Sequence, residues 1–166
     1  MRWIESRAQL TFRAQEIETN LSIGYAVQLV DVNGDHKLDI VVVDTDRIVW
    51  YENPTWQRRT LIEGLTKPDN VAIAPYDITG DGKIDFALAA DWRPADTVSS
   101  GTIQWLEHRP NGEPWKVHPI GQEPTAHRLR WADLDRDGRS ELVVVPLFGR
   151  GTSGPHYQAT SSDLEL

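Results

Sequence analysis

Acidic side chains recur at alternate positions in three short segments of the chain. The segments are nine residues long, begin at Asp31, Asp77 and Asp133, and align without gaps. Side-chain oxygens stand at positions 1, 3, 5 and 9 of each segment, and the carbonyl at position 7 can join them. Oxygen donors without His or Cys suit calcium better than zinc or copper. We therefore predict up to three Ca²⁺ ions, one per segment, held by Asp31, Asn33, Asp35, Lys37, Asp39, Asp77, Thr79, Asp81, Lys83, Asp85, Asp133, Asp135, Asp137, Arg139 and Glu141.

Position 6 of these acidic segments requires a particular backbone conformation. A loop that wraps around an ion needs a positive φ there, which glycine adopts at little cost. Gly82 and Gly138 meet this need, whereas the first segment has His36. Histidine at positive φ is strained, so we expect weaker calcium binding in the first segment. Thr79 at position 3 of the second segment predicts weaker binding there as well.

The residues around each acidic segment predict a strand on both sides of it. Apolar alternating runs precede the segments, and β-branched or small apolar runs follow them, which is typical of strand, tight turn, strand. An EF-hand would need helices on both sides and a Glu at position 12. Position 12 is Val42, Leu88 or Val144, so the EF-hand interpretation fails.

The rest of each repeat also recurs along the chain. The three acidic segments begin 46 and 56 residues apart, and Trp50-Tyr51-Glu52 recurs as Trp105-Leu106-Glu107. A further run after Trp56 recurs after Trp115. Four short antiparallel strands per repeat form the blade of a β-propeller. We predict an all-β fold whose strands A to D follow the order CD-ABCD-ABCD-AB, which makes three blades' worth of strands.

The first and last segments of the chain each match half a blade. Trp3-Ile4-Glu5 has the third-strand pattern, and Phe12–Ile17 has the fourth-strand pattern. The predicted propeller segment, residues 1–157, then comprises a half blade (2–19), two blades (23–64 and 69–121) and a half blade (125–150), and residues 158–166 form a disordered polar tail. Because three blades cannot close a ring, we expect either a homodimer that forms a six-bladed ring or neighbouring blades in a longer parent chain.

Composition excludes several classes of partner. The net charge of −8 argues against nucleic acid, since phosphate binding needs a basic face. The sequence has no apolar run of 18 residues, so we expect no membrane insertion. Calcium sites with these donor numbers fit the millimolar calcium found outside cells, which favours a secreted or periplasmic location over a cytoplasmic one.

The repeated motif Asp-x-(Asp/Asn)-x-Asp-Gly-x-x-Asp between two strands resembles the FG-GAP/VCBS repeats of integrin-α-like propellers. The resemblance extends from Arg2 to about Gly154. It implies a calcium-binding propeller in which the ion braces the loop between the first two strands, with Asp31, Asp77 and Asp133 at the first position of the motif. It implies no particular activity.

The face opposite the acidic turns would collect the remaining loops, and their side chains suit a polar ligand such as a glycan or a protein. We predict ligand-binding roles for Asp69, Asn70, Asp91, Trp92, Arg93, His127 and Arg128. A calcium-stabilised binding or assembly module is the first functional interpretation.

An enzyme is the alternative. The stretch from Ala126 to Gly151 is loosely similar to the propeller domain of aldos-2-ulose dehydratase-type enzymes. That similarity implies metal-assisted elimination of water from a sugar, with His127 as the candidate base. No catalytic pattern of Ser, His and Asp accompanies it, so the sequence favours binding over catalysis for this chain.

Overall fold

The computed structural model describes residues 10–155 and confirms the all-β fold. Two sheets have four antiparallel strands each, in the orders β1-β2-β3-β4 and β5-β6-β7-β8, and a hairpin of β9 and β10 follows them. The strands are β1 (Ala26–Val30), β2 (Asp39–Val43), β3 (Arg47–Glu52), β4 (Gln57–Glu63), β5 (Ala72–Tyr76), β6 (Asp85–Ala90), β7 (Thr102–Glu107), β8 (Lys116–Gln122), β9 (Ala126–Ala132) and β10 (Glu141–Pro146). We call the two sheets blade 1 and blade 2, and the hairpin of β9 and β10 the terminal hairpin.

The blades pack face to face because their inner strands, such as β2 and β6, carry apolar residues on both sides. In blade 2 all six residues of β6 are buried. Phe86 and Leu88 face blade 1, and the smaller Ala87 and Ala89 face the terminal hairpin. This alternation is the period-2 pattern of a strand buried between two layers.

The first strand of each unit lines a common groove. The strands β1, β5 and β9 form its walls, which include Tyr25, Gln28 and Arg128, and the cavity has a volume of about 210 Å³. Hydrogen bonds cross between units here: Gln28 donates to the Ile73 carbonyl at 3.2 Å, and the Trp131 indole donates to the Ala74 carbonyl at 3.2 Å. The acidic turns therefore lie at one end of this groove and the opposite loops at the other.

The N-terminal half blade differs from the prediction. Residues 11–17 form no strand, and Phe12 is 94% exposed, which corrects the fourth strand expected at Phe12–Ile17. Ile17 and Leu21 instead pack on the free face of blade 1, where Tyr51 donates a hydrogen bond to Glu18 at 3.0 Å. An outer strand needs an inner strand to pair with, and the segment has none among residues 10–155.

Other expectations lie beyond the described part of the chain. The third-strand pattern at Trp3-Ile4-Glu5 and the polar tail at 158–166 fall outside the described residues, and the domain boundaries stay predictions. Within residues 10–155 no helix has the length and apolar character needed to cross a membrane.

Candidate metal centres

The acidic turns join the first two strands of each unit, and their backbones share one conformation. Position 6 has positive φ in all three turns: 66° at His36, 83° at Gly82 and 87° at Gly138. This confirms the conformation expected from the glycines, and it shows that His36 adopts it as well.

Position 4 of the turns also has positive φ, which the sequence reasoning missed. Gly34 and Gly80 have φ values of 78° and 74°, and Arg136 in the third turn has 67°. The recurrence of glycine at position 4 in the first two turns was the available signal. Each turn therefore places two residues in the left-handed region, which curls its backbone N–H groups inward.

The first carboxylate of a turn organises the backbone around itself. Asp31 accepts hydrogen bonds from the N–H groups of Gly34 at 2.7 Å, Asp35 at 3.1 Å and His36 at 2.8 Å. Asp77 accepts the equivalent three in the second turn, at 2.7 to 3.0 Å. The backbone N–H groups thus hold the carboxylate at position 1 in place. An ion bound in the turn would contact the same carboxylate.

The carboxylate at position 9 braces the turn from below. Asp39 and Asp85 are fully buried. Asp39 accepts from the N–H of Val32 at 3.0 Å and of Asn53 at 2.8 Å. Each of these carboxylates therefore ties its own turn to the end of the third strand. Both oxygens of each carboxylate already accept backbone hydrogen bonds. The role of Asp39 and Asp85 as ion ligands stays a prediction.

The third turn brings its carboxylates together. Ligand atoms of Asp133, Asp135 and Glu141 lie within 4.8 Å of one another, and within residues 10–155 this is the one such acidic group of three. Glu141 stands where the other turns have a buried Asp, and one oxygen accepts from Leu134 N–H at 2.8 Å. Carboxylates this close repel each other, so a divalent cation fits the third turn.

The first two turns have features that oppose a cation. The Lys37 ammonium is 2.9 Å from Asp35, and this contact lowers the pKa of that carboxyl. Position 3 of the second turn has the neutral Thr79. In neither turn do three acidic groups converge within the described residues. Cation binding there would have to displace the ammonium or draw the side chains inward.

The loops at the opposite end use several predicted ligand residues internally. The Asn70 side chain is fully buried, donates to the carbonyls of Asp44 and Thr45, and accepts from Thr66. Asp91 pairs with Lys67 at 3.1 Å and with Arg93 at 2.8 Å. The bonds of Asn70 and of Lys67 with Asp91 join neighbouring loops, and Arg93 pairs with Asp91 within one loop. The ligand-binding role of these three residues stays a prediction.

Trp92 and His127 are brought together at this end. Their ring centroids are 4.9 Å apart, and the Arg128 guanidinium donates to His127 Nδ1 at 2.7 Å. Burial lowers the pKa of His127, and the charge of Arg128 lowers it further. The imidazole therefore stays neutral near pH 7. Asp69, in the loop between β4 and β5, has a φ of 63°, and its carbonyl accepts a hydrogen bond from the Trp92 N–H at 3.1 Å.

The comparisons with known proteins bear on the turns. Residues 31–88 match the model of the FG-GAP-like repeat. The match begins at the first acidic turn, includes the second, and ends in β6. The search of curated proteins returned no match. The residues similar to this repeat therefore run from the first acidic turn through blade 1 to Leu88 in β6.

The conformation of the acidic turns predicts opposite effects for two substitutions. The His36 side chain is 98% exposed, so His36→Gly removes strain and few contacts. We expect a gain of about 0.5–1 kcal/mol in the free energy of unfolding. Gly82→Ala should cost about 1 kcal/mol through backbone strain alone, since nothing lies within 4 Å of the added methyl group. Urea denaturation in EDTA measures both changes in the free energy of unfolding. Changes of the same sign in the two variants would contradict the assigned backbone conformations.

Asp44, which sequence reasoning did not single out, is a buried carboxylate whose pKa predicts acid sensitivity. Burial alone raises the pKa, but N–H groups of Ser22, Ile23 and Thr45 and the Arg47 guanidinium outweigh it and lower the pKa to about 2. A lowered pKa means that the stabilisation is complete above about pH 4 and is lost as the pH falls toward 2.

We expect Asp44→Asn to cost about 2 kcal/mol at pH 6 and much less at pH 2.5. Urea denaturation at the two pH values measures the difference. The matched control is Asp46→Asn, at an exposed aspartate in the same turn. A cost for Asp44→Asn that does not change with pH would contradict the assignment.

Proposed function

We propose that the chain is a calcium-stabilised β-propeller module that binds a polar ligand at the end opposite its acidic turns. The observation that carries the calcium part is the convergence of Asp133, Asp135 and Glu141 in a turn whose motif occurs three times in register. A single acidic turn would be an ordinary hairpin. Three registered copies with the same backbone twist support a common ion-binding role.

The third turn would bind calcium most tightly. Asp133, Asp135, Asp137 and Glu141 would hold the ion, with the Arg139 carbonyl as a further donor. When bound, calcium supplies positive charge that offsets the repulsion among these carboxylates and links the two strands of the hairpin. The first and second turns would bind it more weakly, because Lys37 competes in one and Thr79 replaces an acidic donor in the other.

Calorimetric titration with calcium tests this proposal. We expect binding to the wild type in the micromolar to millimolar range, and loss of its tightest step in Asp133→Asn. Asp46→Asn, an exposed aspartate outside the acidic turns, should titrate as the wild type does. The proposal fails if the wild type takes up no calcium at 10 mM, about ten times the weakest dissociation constant of such sites, or if Asp133→Asn leaves the titration unchanged.

The ligand part of the proposal depends on Trp92, His127 and Arg128. An aromatic ring, a neutral imidazole and a guanidinium together suit stacking on a sugar or peptide and hydrogen bonding to its polar groups. Asp69 lies beside Trp92, because its carbonyl accepts a hydrogen bond from the Trp92 N–H. A secreted or periplasmic location would supply both the calcium and ligands of this kind.

Binding suits this group better than catalysis. A general base needs a free lone pair aimed at substrate, and it is commonly oriented by a carboxylate. The Nδ1 atom of His127 accepts from Arg128, and no carboxylate among residues 10–155 hydrogen-bonds to the ring. We therefore propose recognition rather than sugar dehydration at this end of the groove.

A screen against immobilised neutral and acidic glycans, followed by Trp92→Ala, tests the recognition site. We expect any bound glycan to be lost in Trp92→Ala and retained in Trp105→Ala, which removes a tryptophan that stacks on His118 at the outer strands. Equal loss in both variants would contradict a site at Trp92.

A further inference from the structure

We propose that a sugar acid of the hexuronate class binds in a cavity between the second and third acidic turns. The cavity has a volume of about 600 Å³, within the range of about 300–1,000 Å³ that is typical of small-molecule sites. Its lining comes from blade 2 and the terminal hairpin and includes Tyr76, Asp77, Thr79, Trp131, Arg139 and Ser140. The site lies at the acidic end of the groove, so it depends neither on recognition at Trp92 nor on calcium in the turns.

The repeat supplies an internal reference for this cavity. A cavity of about 400 Å³ lies at the equivalent place between the first and second acidic turns. Val30 and Ile84 line that smaller cavity, and both pack against the hydrophobic core. Tyr76 and Ser140 stand at the same positions of the larger cavity, one directly before a turn and the other at position 8 of the next turn. The larger cavity therefore has less apolar filling, more space and two hydroxyl groups that the smaller one lacks.

Two stacked aromatic rings form one wall of the larger cavity. Tyr76 at the end of β5 and Trp131 in β9 have ring centroids 4.8 Å apart and an interplanar angle of 23°. The Trp131 indole is fixed by its hydrogen bond to the Ala74 carbonyl at 3.2 Å. Both aromatic residues are only partly buried, and both line the cavity. A preformed apolar wall of this kind suits the C–H face of a sugar ring.

The hydroxyl groups of the cavity are free to bind a ligand. Those of Tyr76, Thr79 and Ser140 make no hydrogen bond to any residue between 10 and 155. Each hydroxyl group can both donate and accept a hydrogen bond. Together they match the alternating donors and acceptors that the hydroxyl groups of a sugar present.

Arg139 supplies the positive charge of the cavity. Within the described part of the chain its guanidinium has neither an ion pair nor a hydrogen bond, whereas Lys37 at the same position of the first turn pairs with Asp35 at 2.9 Å. Asp77 also lines the cavity, but its two oxygens accept three backbone N–H groups of its own turn. A ligand carboxylate therefore fits the guanidinium of Arg139, which can bind it through two parallel hydrogen bonds.

The charge of the protein limits how many negative charges the ligand can carry. The chain has a net charge of −8, and an acidic turn lies on each side of the cavity. A ligand with many negative charges would be repelled by these surroundings. One carboxylate on a polyhydroxyl ring uses the guanidinium, the hydroxyl groups and the aromatic wall together, and this combination defines a sugar acid.

Titration of the isotope-labelled chain with glucuronate, followed by heteronuclear NMR at a constant calcium concentration, tests the site. We expect the Trp131 indole N–H signal to shift with a dissociation constant on the order of 1 mM. Glucose, which lacks the carboxylate, should bind about tenfold more weakly. Equal affinity for glucose, or no shift at about 20 mM glucuronate, would overturn the proposal. A shift of the Trp92 signal in place of the Trp131 signal would overturn it as well, while supporting recognition at Trp92.

Variants assign the binding to individual side chains. Arg139→Gln keeps the backbone carbonyl at position 7 and should weaken glucuronate binding about tenfold, to the level of glucose. Arg136→Gln removes the same charge from an exposed residue of the same turn that does not line the cavity, and it should bind as the wild type does. Undiminished binding in Arg139→Gln, as a calcium ion bridging the carboxylate to the turn would give, or an equal loss in Arg136→Gln would overturn the role of the guanidinium.

A filling substitution tests the cavity itself. Ser140→Ile introduces the residue that the second turn has at the same position, Ile84, so the fold should tolerate it. We expect this variant to lose the glucuronate-induced shift of the Trp131 signal, with little change elsewhere in the spectrum of the unbound chain. Binding of wild-type strength in Ser140→Ile would overturn the placement of the ligand between the two turns.

Discussion

Chelation of calcium should lower the melting temperature of this chain by about 8 °C. A site saturated at a hundred times its dissociation constant adds about 2.7 kcal/mol to the free energy of unfolding. In a chain of this size 1 kcal/mol moves the melting temperature by about 3 °C. Differential scanning calorimetry with excess calcium, and then with EDTA, measures the shift.

Two controls separate this effect from others. EDTA already saturated with calcium should leave the melting temperature unchanged, which excludes an effect of the chelator itself. Asp133→Asn should melt at nearly the same temperature with and without calcium, since the tightest site is lost. If EDTA leaves the wild-type melting temperature unaltered, the carboxylates of the turns have no structural ion.

The second large effect should come from Asp85→Ala. Asp85 is fully buried and accepts hydrogen bonds from Ile78, Thr79 and His108 at 2.8 to 3.1 Å. Its removal leaves three backbone N–H groups without their acceptor. Since each unsatisfied buried group costs about 1–3 kcal/mol, we expect a loss of about 3–5 kcal/mol in the free energy of unfolding.

The matched control for this substitution is Asp81→Ala in the same turn. Asp81 is exposed and accepts one hydrogen bond, from Lys83 N–H. Guanidinium denaturation in EDTA removes any contribution of calcium from both variants. Asp81→Ala should then cost under about 1 kcal/mol. Similar losses of stability in the two variants would contradict the conclusion that the buried Asp85 stabilises the turn more than an exposed carboxylate does.

Asp85 and Asp133 belong to the same motif but lie in different surroundings in the structure. Both belong to the same nine-residue pattern, and sequence reasoning assigned both to the ion. The structure separates them, because Asp85 lies under the turn and binds backbone, whereas Asp133 faces Asp135 and Glu141. Spacing along the chain does not reveal which side of a turn a carboxylate occupies.

At the opposite end of the groove, too, the sequence pattern does not reveal where each side chain lies. Asn70 belongs to one polar loop and Asp91 and Arg93 to another, and such loops are the pattern expected of a ligand site. In the structure Asp91 pairs with Lys67 and with Arg93, and Asn70 donates to backbone carbonyls. Trp92 and His127 are 35 residues apart in the chain, yet their rings are in contact. Only the packing of blade 2 against the terminal hairpin brings them together.

The sequence by itself determined the repeat, the four-strand blade and the positive φ at position 6, because these depend on local period and on the conformational freedom of glycine. The tertiary structure alone decided which carboxylates converge, which are buried as braces, and which apolar faces stay exposed at the two ends. It also decided that Phe12–Ile17 forms no strand within the described residues. Burial and strand pairing depend on neighbours distant along the chain, and a local pattern does not contain them.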